Sequence, residues 1–175
     1  MKPFLAGTVG ILALAAGCAS PLGGRDLELG AGLSAIPGAG ASVSFSQRMH
    51  SGPSGRIDAI VDLTHQRVDR AVGAHGRVGN GFDQVRAGLR WRSTPDEPET
   101  WALRGGIAWL RAEGDPLLLS EPGDYGGGFL GIGYEWSLSP HLVCGPELTL
   151  QYFISEGNGD AGLVPELAWH VLWKL

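Results

Sequence analysis

Cysteine is almost missing from this chain of 175 residues, which holds only Cys18 and Cys144. Anything beyond a single disulfide is therefore excluded. Lysine is equally scarce, with two residues against eleven arginines, and charged residues amount to 18%. The net charge of −5 leaves no basic footprint for nucleic acid. Beyond the N-terminus no apolar run reaches the ~18 residues of a membrane-spanning helix. No helical period of 3.6 persists either. Low order is excluded as well, because 43% of the chain is hydrophobic.

What the chain does have is glycine, 29 residues of it, and a two-residue alternation that carries all six tryptophans on its apolar face. In the last segment Leu163, Pro165, Leu167, Trp169, Val171, Trp173 and Leu175 share one parity. Val164, Glu166, Ala168, His170, Leu172 and Lys174 share the other. Successive side chains of a β-strand point to opposite faces, so one face here is apolar and the other mostly polar or small.

Eight such runs are predicted as strands: Leu27–Ile36, Ala39–Arg48, Arg56–Gln66, Gln84–Ser93, Thr100–Ala112, Gly126–Ser137, His141–Phe153 and Leu163–Leu175. Each is about ten residues long, with turn signals between runs, which argues for a barrel or sandwich. The longer connections, Val68–Gly81, Glu113–Asp124 and Ser155–Gly162, alternate with shorter ones at Met49–Gly55, Thr94–Glu99 and Leu138–Pro140. Threaded this way, Trp91, Trp101, Trp136 and Trp173 fall at one rim, and Trp109 and Tyr152 lie toward the other. Aromatic girdles of this kind mark the two interfaces of a barrel set in lipid.

Charge concentrates on the opposite, inward parity. Asp58 and Asp62 lie on one strand, and Arg86, Arg90 and Arg92 on the next. The register that sets Asp62 opposite Arg86 and Asp58 opposite Arg90 is favoured electrostatically. Arg104, Glu135, Glu147, Glu166 and His170 extend this into an interior charge network. A lumen of eight strands is just wide enough to be filled by side chains, so such a network is expected to close it.

The N-terminus reads as an export signal over residues 1–17, with Lys2 ahead of the apolar stretch Phe4 to Ala16. Ala15-Ala16-Gly17-Cys18 resembles the lipobox of bacterial lipoproteins, in which the cysteine is lipidated. Ordinary cleavage after Ala15 or Ala19 is the alternative. A short segment, 18–26, then leads into a barrel domain over 27–175. Cys144 falls on the apolar parity and reads as a small lipid-facing residue.

Over Leu27 to Leu175 the chain resembles the small eight-stranded outer-membrane β-barrels, whose last strand alternates apolar and aromatic residues. That family usually ends in Phe or Trp, where this chain ends in Leu175. The resemblance implies an all-β, antiparallel, up-and-down transmembrane barrel with a polar charged interior. It also implies a Gram-negative outer-membrane location, with membrane lipid and the barrel assembly machinery as partners. An envelope protein is a further expected partner.

The signals for chemistry are weak. Glu147 facing His170 would resemble a base with its orienting carboxylate, but no nucleophilic Ser or Cys is obvious nearby on that face, although Thr149 is. Lipid-A deacylases are also eight-stranded barrels, and their His-x-Ser pattern is absent. His50-Ser51 has the wrong spacing. The loop acids Glu113, Asp115, Glu121, Asp124, Glu156 and Asp160 match no calcium loop. Gly126-Gly127-Gly128 lies in a strand and is no phosphate loop. The expectation is thus a non-enzyme, with no cofactor and no metal, in a structural, surface-binding or envelope-partner role. Two alternatives stay open: a lipid-anchored, soluble, lipocalin-like barrel holding an apolar ligand, and a barrel enzyme that modifies envelope lipids.

Overall fold

The computed structural model describes residues 27–36, 38–72, 76–113, 122–155 and 161–175. The expected signal segment, Cys18 and most of the loop acids lie outside them. The strands are β1 (Leu27–Ile36), β2 (Ala39–Gly52), β3 (Gly55–Val72), β4 (Gly76–Arg92), β5 (Glu99–Glu113), β6 (Gly123–Ser139), β7 (Leu142–Ser155) and β8 (Ala161–Lys174). Each pairs antiparallel with its chain neighbours, and β1 pairs with β8, so the sheet closes into an up-and-down barrel. Closure leaves no sheet edge within the wall. We call the end where β1 begins and β8 ends the termini end, and the other the loop end.

Two stretches that read as connections belong instead to strands. Val68–Gly81 has the composition of a long loop, but β3 and β4 stay paired as far as Val72↔Gly76. Their outer neighbours stop earlier, at Ala39↔Arg67 on one side and Gly81↔Glu113 on the other. The pair therefore continues past the wall as a two-stranded ribbon. Alternation fails there because a ribbon outside the wall has no apolar face to maintain. At the termini end, Met49–Gly55 shrinks to a turn at Pro53-Ser54 between Gly52 and Gly55, which pair with each other. Proline presets the first corner of such a turn. Gly55 closes it at φ 119°, where a Cβ would lie 2.3 Å from the Arg92 carbonyl oxygen. The indole Nε1 of Trp91 donates to the Ser54 carbonyl at 3.1 Å and fixes the turn to the wall.

The wall is interrupted most clearly at one place, besides the register shifts at Ser34/Ile36, Arg48/His50 and Ser137/Ser139. Between β6 and β7 the ladder runs through Gly133↔Glu147 and resumes at Trp136↔Cys144, skipping Tyr134 and Glu135. The positions opposite are Pro146, which has no N–H to give, and Gly145. A Cβ on Gly145 would lie 1.8 Å from the Tyr134 carbonyl oxygen, so only glycine fits there.

Candidate functional site

The inward positions divide into two halves. At the termini end and midway lie six carboxylates, Glu28, Asp58, Asp62, Glu135, Glu147 and Glu166, together with five arginines, Arg56, Arg86, Arg90, Arg92 and Arg104, all buried. His170 joins them. A buried charge is costly unless paired and hydrogen-bonded, and these are arranged in two knots.

In the lower knot Arg92 grips Glu28 with both terminal nitrogens, at 2.7 and 2.9 Å, and donates through Nε to Glu135 at 2.7 Å. Arg90 meets Glu28 at 2.5 Å and Asp58 at 3.3 Å. Arg56 bonds Asp58 at 2.5 Å and reaches Glu28 at 3.1 Å. In the upper knot Arg104 holds Glu147 at 2.7 and 2.8 Å and Asp62 at 2.7 Å. Arg86 donates to Glu166 at 2.7 Å and lies over the Phe129 ring, 5.6 Å from its centroid. Thr149 and Gln151 donate to Glu147 and Glu166 at 2.8 and 2.9 Å.

The β3–β4 register is the one charge favoured, with Asp62 opposite Arg86 and Asp58 opposite Arg90. The shortest ion pairs nevertheless run elsewhere. Asp62 is 2.7 Å from Arg104 but 3.4 Å from Arg86, whose near partner is Glu166. Inward side chains of a small closed barrel converge on its axis, so a long guanidinium reaches across the lumen as readily as along the sheet. Glu28 and Arg56 belong to the lower knot although the sequence reading singles out neither. Their inward parity is the available signal.

The expected facing of Glu147 and His170 is not the arrangement in the barrel. His170 pairs with Gly145, and Glu147 pairs with Ala168. The ring stands 3.9 Å from Glu147 and 3.5 Å from Glu135, and neither nitrogen makes a hydrogen bond. The offset arises because the two residues are two positions out of register, so no base-and-orienter pair forms.

Above the knots the lining changes character. Gln84 donates to Gln151, and Gln66 to Ser34 at 2.6 Å. Beyond them, at the loop end, Phe82, Leu110, Ala112, Tyr125, Phe153 and Val164 are buried against one another. This apolar cap lies across the lumen, on a face that the sequence reading takes as mostly polar, charged or small. Phe82 falls in an expected loop, and the others occupy inward positions near strand ends.

The outer wall inverts this pattern. Apolar side chains are exposed on strand after strand, from Leu29 and Leu33 on β1, through Leu89 on β4 and Ile107 on β5, to Leu167 and Val171 on β8. Among the tryptophans and Tyr152 expected at the rims, Trp101, Trp109, Trp173 and Tyr152 are exposed, and Trp91 and Trp136 half-buried. Trp169 joins them, stacked on Trp136 at 5.6 Å. Trp101 meets Tyr134 edge-on at 4.9 Å, and Tyr134 meets Trp136 at 5.3 Å. Cys144 lies on this wall with a free thiol, but it is buried, in register between Trp136 and Val171, rather than openly exposed. Polar pairs bound the band. At the termini end Tyr134 donates to Glu99 at 2.5 Å. At the loop end Arg111 bonds Asp124 at 2.9 Å, and His65 lies 2.7 Å from Asp83. Trp101 and Trp109 are eight residues apart on β5, about 26 Å along the strand, or ~20 Å once tilt is allowed for.

The sequence matches no family model and no curated protein. Solved structures with the same fold exist. Neisserial surface protein A is 15% identical, with a TM-score of 0.54, covering 86% of this chain and 94% of its own. A major outer membrane protein from Thermus thermophilus is 12% identical, with a TM-score of 0.54 and coverage of 86% and 98%. The outer membrane enzyme PagL is 11% identical, with a TM-score of 0.52 and coverage of 86% and 99%. These likenesses are to the eight-stranded barrel fold.

Proposed function

We propose that this protein is a small bacterial outer-membrane barrel that sits in lipid through its apolar outer band and has a sealed lumen. Its role is structural or binding, exercised through the loop end or toward an envelope partner, and it is not catalytic. The observation that carries this reading is the inversion of the molecule. Charge is buried inside, while apolar residues form an exposed band, ~20 Å between its Trp101 and Trp109 rims against the ~25 Å of outer-membrane barrels. An apolar patch on that scale on a water-soluble protein would drive association. The outer-membrane proteins sharing the fold support the location. On this reading the lipobox-like Cys18, nine positions before β1 in the sequence, carries a lipid anchor.

The lipocalin-like alternative draws no support from the lumen. An apolar ligand there would have to displace the packed apolar cap at the loop end or, below it, arginine–carboxylate pairs whose charges would then lie buried and unpaired.

The test is a cold SDS gel of the membrane fraction, with unheated and boiled samples, after washing at high pH. A membrane-retained band that shifts on boiling is expected. Release at high pH with no shift would sink the reading and favour a tethered soluble barrel.

A further inference from the structure

A groove of about 490 Å³ crosses the outer wall between β5 and β8. Gly105 and Gly128 form its floor, and Leu130, Leu150, Tyr152 and Leu163 its walls. At Gly105 and Gly128 the outward positions carry no side chain, and the flanking Leu130, Leu150, Tyr152 and Leu163 stand above them. Gly128 pairs with Ile107 on one side and Tyr152 on the other, and Gly105 pairs with Leu130, so the two glycines lie on a diagonal across β5 and β6, between large side chains.

We propose that this groove seats one acyl chain of a bilayer lipid, held more firmly than the lipid around the rest of the barrel. The inference rests on the reading of the band as lipid-embedded, and it adds a particular lipid position. Three observations favour an acyl chain. The walls are aliphatic except for the Tyr152 ring, so a ligand with polar groups along its length would bury them unpaired. The floor is two glycines wide, too narrow for a helix of about 10 Å diameter. The groove is also continuous with the apolar band, and it points toward the level at which that band ends. Two residues beyond Gly126, Asp124 receives Arg111 at 2.9 Å, which sets the height of a headgroup. A chain lying in the groove therefore has its polar end at the polar boundary and its methylenes against Leu130, Leu150 and Leu163.

The floor can be filled without breaking the wall. A Cβ on Gly128 has the Gly106 carbonyl oxygen as its nearest neighbour, at 3.3 Å, so a small shift accommodates it. A Cβ on Gly126, next along the same face of the strand but off the groove, meets nothing within 4 Å. The full-length protein would be reconstituted in vesicles of phosphatidylethanolamine and phosphatidylglycerol, extracted in mild detergent, and examined by native mass spectrometry.

Wild type and Gly126→Leu should carry one retained phospholipid. Gly128→Leu should lose it, with occupancy falling roughly tenfold. Leu163→Trp fills the groove from an exposed wall position and gives the same readout if Gly128→Leu assembles poorly. A wild-type barrel that shifts on heating yet carries no lipid, or a Gly128→Leu barrel that keeps its lipid, overturns the groove and leaves the membrane reading standing. A wild type with no heat shift and no membrane retention overturns both.

Discussion

The lower and upper halves of the lumen bury the same kind of space by opposite means. Toward the termini, Arg92 and Arg104 thread between carboxylates, and nearly every buried atom needs a named partner. Toward the loops, Phe82, Tyr125, Phe153 and Val164 need only to fit. The halves differ in what they contribute. A buried ion pair about breaks even against a well-packed apolar pair, yet removing one member is costly because the other stays charged and buried. Apolar packing contributes outright in proportion to the area removed from water. We therefore assign stability mainly to the cap and the choice of register to the knots. If the lumen is sealed, the cap is the candidate seal, because among the described residues the buried glutamines Gln66, Gln84 and Gln151 lie next to it.

The largest effect should come from reversing a charge inside a knot. Asp62→Arg places a third guanidinium beside Arg104 and Arg86. We expect a loss of ~5 kcal/mol or more and no heat-shifted band. Arg86→Asp in the same chain should rescue it only partly, since Arg104 is the nearer neighbour. Full rescue would show that the pairing follows strand register rather than reach across the lumen.

Arg104→Met should come next. It strands Glu147 and Asp62 and should cost about 3–5 kcal/mol in urea unfolding from vesicles. Adding Asp62→Asn and Glu147→Gln should recover most of that loss, because the stranded charges are then gone. If the triple variant stays as unstable as the single one, the knot is a net source of stability and the division of labour drawn above is wrong.

The cap answers differently. Phe153, fully buried, should cost about 3 kcal/mol as Phe153→Ala, with no partner change able to restore it. The seal itself is tested by Phe153→Ser combined with Phe82→Ser, which should give discrete conductance steps in a planar bilayer where wild type gives none. Arg104→Met should not conduct. If the charge variant conducts and the serine pair does not, the seal belongs to the knots.

The same contrast explains what the residues disclose in advance. Wherever a strand lies within the band, its two faces must differ, so parity marks Leu29, Leu89 and Trp173 as outward and Asp58, Arg86 and Glu166 as inward. Past the wall that demand ends, which is why the paired segments beyond Arg67 and before Gly81 read as loop. Parity also gives membership without partners. It places Asp62 and Arg104 on the inner face, but their 2.7 Å contact depends on closure and convergence toward the axis, which no single strand encodes. His170 is the same case, since two residues of register move it from facing Glu147 to facing Gly145. The cap is hidden because apolar residues at inward positions contradict the rule of a polar interior, and only their gathering at one end shows them to be one cluster.

The smallest effect should come from the pair that looks most like those in the knots. His65 and Asp83 stand 2.7 Å apart, as close as Arg104 and Asp62, but their side chains are 64% and 45% exposed. Water screens that pair and remains free to solvate either member when the other is removed. Asp83→Asn should therefore cost less than ~1 kcal/mol in the same urea titration, against several for Arg104→Met at equal separation. A cost near that of the buried pair would mean that His65 and Asp83 are shielded in the assembled protein. The loop-end boundary of the lipid band would then lie beyond them rather than at their level.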